Sequence, residues 1–190
     1  MVRRDFPLCI DDAMLDSWGR RLVNHRLGQP HAKLAYLLNS GTDRIGALDF
    51  QARSDEYTSR DTDHPTLDDL ATAAERIEAG EPFDATLTAA LLRGTSIGGA
   101  RPKALLADNG QHLIAKFTST TDRYPVVQGA HVAMELARRA GLDVVSVGLT
   151  DAAGRRALLV ERFGRTARPR RHMVSALTIL GLTTFPEGRY

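Results

Sequence analysis

The stretch RGTSIGGARPKALLADNGQHLIAKF, residues 93–117, constrains the fold of this chain more than any other. It joins a loop of small residues, an Asn109-Gly110 pair and a lysine within an apolar run. Asn-Gly readily takes the positive φ angles of a two-residue hairpin turn. We therefore predict that KALLA and QHLIAKF pair as two antiparallel strands.

Hydrophobic periodicity and capping residues predict the other elements. Before residue 93 we expect helices over residues 13–28, 31–41, 67–80 and 84–94. The first would be capped by Asp11 or Asp12 and the third by Thr66. DRIGALDF is predicted as a strand or extended segment, and residues 51–65 as a polar, mobile loop. After the hairpin we expect a helix from Pro125, strands in DVVSVGL and RRALLVERF joined by a turn at 151–154, and a helix over 172–181. These elements predict an α+β fold.

The bulk composition excludes several classes of protein. Lys plus Arg (25) and Asp plus Glu (23) nearly cancel, so the net charge of +2 gives no general attraction to nucleic acid or membranes. One cysteine, Cys9, cannot form an internal disulfide, and we expect it to be a small buried hydrophobic residue. The sequence shows no signal-peptide pattern and no apolar run of about 18 residues, so we expect a soluble cytoplasmic protein.

The loop before the hairpin matches neither common phosphate-binding motif. A P-loop needs a lysine directly after its second glycine, but Gly99 is followed by Ala100, and Ser96 occupies the second glycine position of a dinucleotide fingerprint. SIGGA nevertheless has so little side-chain bulk that its backbone N–H groups could surround a phosphate. A simple flexible turn is the alternative.

Lys116 lies in the apolar run HLIAKF, where a charge is costly unless an anion meets it. A solvated lysine on a strand is the alternative. Further on, Glu161 and Phe163 end an apolar strand, and the corresponding strand end in protein kinases presents backbone groups to adenine. Loop, lysine strand, helix and hinge follow each other as in the amino-terminal lobe of a kinase.

Several motifs together resemble the HipA family of serine/threonine kinases, the toxins of bacterial toxin–antitoxin pairs. They are TSIGGARPKALL, LIAKF, VAMELARRAGLDV, LLVERFGR and RRHMVSAL, with DDAMLDSWGRRL and RIGALDF before them. The resemblance implies ATP and Mg²⁺ as cofactors and Ser96 as the autophosphorylated serine, whose added charge would eject the loop. It implies that Lys116 binds the α- and β-phosphates. It also implies a phosphate-facing loop formed by Gly98, Gly99, Ala100, Arg101, Pro102 and Lys103. The implied adenine hinge is formed by Glu161, Arg162 and Phe163.

The chain departs from the family pattern at three points. The catalytic Asp and Asn and the metal-binding Asp of the family lie beyond the hinge and have no counterpart here, so we predict no catalytic residue in this chain and no phosphoryl transfer by it. The helix after Lys116 has Ala130 where the family usually has glutamate, and Glu135 would lie on another helix face. Gly164 replaces a common aspartate in RFGR.

These observations favour a truncated HipA-like kinase, divided into a mainly helical segment (1–85), a nucleotide-binding lobe (86–163) and the hinge exit with the first helix of an absent catalytic lobe (164–190). The whole kinase would phosphorylate a translation-related protein such as an aminoacyl-tRNA synthetase and would bind a HipB-like antitoxin. The alternative is a stand-alone degenerate lobe that binds an antitoxin or a kinase. The basic run RFGRTARPRRH is predicted to be a solvated linker, so we expect no direct nucleic-acid recognition.

Overall fold

A computed structural model describes residues 6–60, 66–81, 91, 97, 99–108, 110–165 and 170–182. The helices are α1 (Leu8–Asp12), α2 (Ser17–Leu27), α3 (Lys33–Asn39), α4 (Leu67–Ala79), α5 (Val126–Arg139) and α6 (Ala176–Ile179). The strands are β1 (Lys103–Asp108), β2 (Gln111–Phe117), β3 (Val147–Ala152) and β4 (Arg155–Glu161). A 3₁₀ turn at Phe163–Arg165 follows β4.

The four strands form one antiparallel sheet in the order β1-β2-β4-β3. Strand β2 is central: Lys116 lies opposite Lys103 on β1 and opposite Leu158 on β4. Gly110, in the β1–β2 turn, has the positive φ (79°) that a tight hairpin needs. The predicted hairpin and the mixed helix-and-sheet fold are confirmed.

One face of the sheet forms the hydrophobic core with the amino-terminal helices. Small side chains on this face, at Ala104, Ala115 and Ala157, are fully buried and belong to one cluster with residues of α2 and α4. Trp18 is also fully buried, and its indole Nε1 donates a hydrogen bond to the Lys103 carbonyl at 3.2 Å. The predicted helical segment and the sheet thus share a single core.

Helix α5 packs against β3 and β4. Leu158 on β4 is buried although it alternates with the core-facing Ala157, which places it on the opposite face of the sheet. Val127, in the first turn of α5, is buried and lies outside the main core cluster. Lys116 shares the face of Leu158, because directly opposed residues of antiparallel strands project to the same side.

Local capping signals explain two helix boundaries. Thr66 accepts a hydrogen bond from the Asp69 backbone N–H, while the Asp69 side chain accepts one from the Thr66 backbone, and this capping box starts α4. Gly80 ends the same helix with φ of 72°, and Gly28 ends α2 with φ of 85°. These predictions are confirmed.

Three predictions about the amino-terminal half are wrong. The first long helix does not begin after Asp11 or Asp12, because α1 ends there and Asp16 caps α2 by accepting from the Gly19 N–H at 2.7 Å. Asp12 instead accepts a hydrogen bond from the Ser175 N–H, at the start of the distant α6. Cys9 is exposed, not buried, because it lies on the short surface helix α1.

Other boundaries differ from the sequence prediction. DRIGALDF forms neither a strand nor a helix, and α6 is confined to Ala176–Ile179 within the predicted 172–181. The predicted helix over 84–94 falls almost wholly outside the described residues. In the part of the chain that the structure describes, no helix is both long enough and apolar enough to cross a membrane.

Candidate nucleotide-binding site

Lys103, the last residue of the predicted phosphate-facing loop (98–103, here called the glycine loop), holds the described part of that loop in place. Its Nζ donates hydrogen bonds to the Gly99 carbonyl at 2.9 Å and to the Asp16 carboxylate at 3.0 Å. The residue is only 3% exposed. Burial lowers the pKa of the Lys103 ammonium below its usual 10.5, although the pair with Asp16 opposes that shift and nearby Lys116 adds to it. In this conformation its charge is directed to Asp16 and the loop backbone.

Three other members of the loop lie at the surface, and one is buried. Gly99 has φ of 102°, a conformation that favours glycine, and Ala100 and Arg101 are also exposed. Arg101 forms an ion pair with Asp122 in the connection after β2. Pro102 is buried, and its carbonyl accepts a hydrogen bond from the Phe117 N–H at 3.0 Å. Two predicted members of this site, Ser96 and Gly98, lie outside the described residues.

Lys116 is exposed on β2, directly across from Lys103. No carboxylate in the described ranges lies within ion-pair distance of it. The pairing of β1 with β2 brings this lysine and the end of the loop to the same end of the sheet. A like-charge pair at opposed positions is unfavourable. The Asp16 carboxylate compensates the charge of Lys103 but does not pair with Lys116.

The helix α5 supplies no acidic partner for Lys116. The position where the family has glutamate is Ala130, on α5, and it is partly buried. Glu135, further along the helix, pairs with Arg138 at 2.7 Å, and this bond lowers the pKa of Glu135. The lysine thus keeps its charge available to solvent or to a ligand.

The predicted hinge leaves β4 at Glu161, which pairs with Leu113 on β2. Lys116 is three positions after Leu113 on β2, or about 10 Å along an extended strand. The backbone N–H groups of Glu161 and Arg162 donate to the Ser146 and His112 carbonyls, at 3.0 and 2.9 Å. Their N–H groups are thus already bonded within the protein. Phe163 projects a half-exposed ring beside them.

Arg162 has a structural partner that sequence reasoning missed. Its Nη1 donates to Asp43 at 2.6 Å, and the Nε of Arg165 donates to the same carboxylate at 2.9 Å. Both guanidinium groups also bond to the Arg44 carbonyl. We call Asp43, Arg162 and Arg165 the hinge brace. Burial alone would raise the pKa of Asp43, but the charges and hydrogen bonds of the two arginines bring it below its usual 3.8.

The segment around the brace is itself tightly packed. Gly46 has φ of 75°, and an added Cβ would lie 3.3 Å from the backbone nitrogen of Met173, so this backbone approach requires glycine. Arg44 is 1% exposed and bonds to Ser40 and to the Ala13 carbonyl, and burial lowers its pKa to about 10. Residues 40–46 therefore hold the exit of the hinge.

A magnesium site needs several carboxylate or other oxygen ligands close together. Among the described residues, no group of three or more His, Cys, Asp or Glu side chains could hold a metal ion. Asp16 and Asp122, which lie beside the loop, each form an ion pair with a basic side chain. These described residues do not fit Mg²⁺.

Comparisons with known proteins identify the family. The model of the HipA-like C-terminal domain matches residues 95–190, half of the chain, from the glycine loop onward. A comparison with curated proteins found no match. Among solved structures, a chain in the Shewanella oneidensis MR-1 toxin–antitoxin complex of HipA, HipB and operator DNA is similar, with a TM-score of 0.62 and 24% identity. The match covers 93% of this chain and 44% of that one, and it shows a shared fold. The chain belongs to the HipA-like C-terminal domain family.

Proposed function

We propose that this chain is the nucleotide-binding part of a HipA-like serine/threonine protein kinase. The observation that carries the proposal is Lys116, an exposed lysine without an acidic partner in the described residues, placed opposite the lysine that anchors the glycine loop. A cation and a loop of small residues at one end of a sheet can hold a polyphosphate.

The proposal gives the predicted residues distinct roles. Lys116 contacts the α- and β-phosphates, and Gly98 to Arg101 present backbone N–H groups to them. Lys103 acts on the loop and not on the nucleotide, because its ammonium already bonds to Gly99 and Asp16. Adenine would contact Glu161 and Arg162 through their carbonyl groups, or Phe163, because the N–H groups of the first two are used in the sheet.

The whole protein would do more than this chain. In the proposal, it phosphorylates a serine or threonine of a translation-related protein such as an aminoacyl-tRNA synthetase, in the cytoplasm, and is restrained by a HipB-like antitoxin. The HipA–HipB complex that shares this fold supports such a partner. In the proposal, Mg²⁺, which neutralises phosphate charge during transfer, would be held by a catalytic segment after the hinge, as the family resemblance implies.

The test is a titration of the chain with a fluorescent ATP analogue. We expect Lys116→Ala to weaken binding tenfold or more, because it removes the cation that the proposal places against the phosphates. The matched control is Lys33→Ala, since Lys33 is an exposed lysine that pairs with Asp11 on another part of the surface. Equal affinities of the Lys116 variant and the parent chain would refute the assignment.

The second candidate is a degenerate lobe that binds an antitoxin or a partner kinase without binding ATP. Ala130 favours it, because an active kinase needs the lysine–glutamate ion pair that this helix cannot form. Calorimetry separates the two functions: a chain that binds a purified HipB-like antitoxin and gives no heat with ATP supports the module.

A further inference from the structure

A cleft apart from the candidate nucleotide site opens where the chain passes from β2 into α5. Its volume is about 470 Å³, within the range of sites that bind small ligands. The connection supplies Thr118, Asp122, Arg123 and Tyr124, α5 supplies Gln128, and the start of β4 supplies Arg155 and Arg156. None of the residues that we assign to the nucleotide lines it.

Two polar atoms in this cleft are buried without a partner. Neither Thr118 Oγ1 nor Gln128 Oε1 has a hydrogen bond in the described structure. An unsatisfied buried polar atom costs about 1–3 kcal/mol, and native proteins contain few of them. Because both residues line one cleft, a rotation of each side chain would turn its unpaired atom toward a ligand that enters.

The charges around the cleft favour an anion. Arg155 and Asp122 are already paired, with Glu75 and Arg101 respectively. Arg123 is exposed and has no ion pair among the described residues. Arg156 makes two long contacts with exposed Asp151, at 3.4 and 3.5 Å, and exposed pairs of this kind contribute little. Two guanidinium groups are thus available to a ligand, and the amino-terminal turn of α5 adds a partial positive charge.

We propose that this cleft binds an acidic peptide segment. A carboxylate of the peptide pairs with Arg123 and Arg156 and accepts a hydrogen bond from the Thr118 hydroxyl. A backbone N–H of the peptide donates to Gln128 Oε1. A fully ionised inorganic anion could satisfy the arginines and the hydroxyl but not the amide oxygen, which needs a donor. Tyr124, 70% exposed, offers an aromatic surface at the rim.

The test uses the 190-residue chain and a fluorescein-labelled hexaglutamate peptide with blocked ends, monitored by fluorescence anisotropy. We expect saturable binding, and at least a tenfold loss of affinity in both Gln128→Leu and Arg156→Gln. The matched control is Arg139→Gln, at the far end of α5, which makes the same change in charge outside the cleft. Its affinity should stay within twofold of the parent chain.

Several results would overturn the proposal. Hexaglutamine binding as tightly as hexaglutamate would show that the carboxylates are not recognised, and an equal loss in Arg139→Gln would show diffuse attraction. Complete displacement by inorganic phosphate at the peptide's own concentration would mean an anion site only. If Gln128→Leu does not fold, Arg123→Gln replaces it, since Arg123 is exposed; full affinity in that variant would equally refute the site.

Discussion

The hinge exit and the glycine loop are both held by charged side chains, but in different environments. In the hinge brace, the side chains of Asp43, Arg162 and Arg165 are 14%, 6% and 7% exposed. In the outer contact of the loop, Arg101 is 45% exposed although its partner Asp122 is nearly buried. Only Lys103, on the inner side of the loop, matches the burial of the brace.

This difference separates a fixed region from an adjustable one. A desolvated ion pair is costly to break, because the remaining charge is left without water or a counter-ion. An exposed pair contributes about 0–1 kcal/mol and is weakened by salt. The hinge exit is therefore held in one geometry, whereas the outer part of the loop can move at little cost, as closure around a phosphate would require.

The sharpest test of the comparison is Asp43→Asn, for which we expect the largest effect. The variant keeps the shape of the side chain but leaves Arg162 and Arg165 without their shared counter-charge. We expect a loss of about 3–5 kcal/mol in the free energy of unfolding at neutral pH. Urea denaturation followed by circular dichroism measures it.

The loss of stability in Asp43→Asn should depend on pH. Because the folded pKa of Asp43 is lowered from 3.8, the carboxylate's contribution is complete above 3.8 and disappears as pH falls through the lower folded value. The difference between the parent chain and Asp43→Asn should therefore shrink below pH 3.8. Asp55→Asn, which breaks an exposed pair with Arg53, is the control and should leave the urea midpoint unchanged. If Asp43→Asn were as stable as Asp55→Asn, the hinge exit would not be more firmly held than the outer part of the loop.

The second test is Asp16→Asn, on the inner side of the loop. Asparagine caps helices as well as aspartate does, so its one oxygen preserves the start of α2. The variant removes the counter-charge of Lys103 and the second oxygen that accepts the Lys103 hydrogen bond. We expect a loss of about 1–3 kcal/mol, the cost of an unsatisfied buried group. The free energy of unfolding, measured by urea denaturation, should fall less than in the brace variant.

The loss in this second variant should shrink as pH rises, whereas the loss in Asp43→Asn shrinks as pH falls. The pKa of Lys103 is lowered in the folded chain, so the unfolded chain binds more protons between that value and 10.5, and stability rises with pH in this window. Without Asp16 the folded pKa should fall further and widen the window. A loss that stays constant as pH rises toward 10.5 would show that Asp16 does not act through the Lys103 charge.

The sequence predicted those parts of the molecule that depend on neighbouring residues. The hairpin at residue 110, the Thr66 capping box and the glycine stops at residues 28 and 80 each involve contacts across a few positions, where local conformational preference decides the outcome. The start of α2 was misplaced because three aspartates stand close together. Asp12 was expected to cap a nearby helix but is used by Ser175, far along the chain.

The candidate site divides in the same way. The loop and Lys116 could be predicted because both lie on one hairpin. The hinge brace could not, since Asp43 and Arg162 are 119 residues apart and neither local sequence identifies the other as its partner. The sequence shows that the hairpin contains a second lysine, Lys103. It does not show which of the two opposed lysines is buried.

The smallest effect is expected for Arg101→Gln, and its size decides whether the outer loop is adjustable. The variant removes an exposed pair, and Asp122 keeps its hydrogen bond from the Ser119 N–H at 3.1 Å. The free energy of unfolding should fall by no more than about 1 kcal/mol. Amide hydrogen exchange should accelerate at residues 99–101 and stay unchanged in β4, because local opening need not involve the whole fold. Faster exchange in both regions would mean that the loop and the hinge exit open as one unit, and the contrast between them would fail.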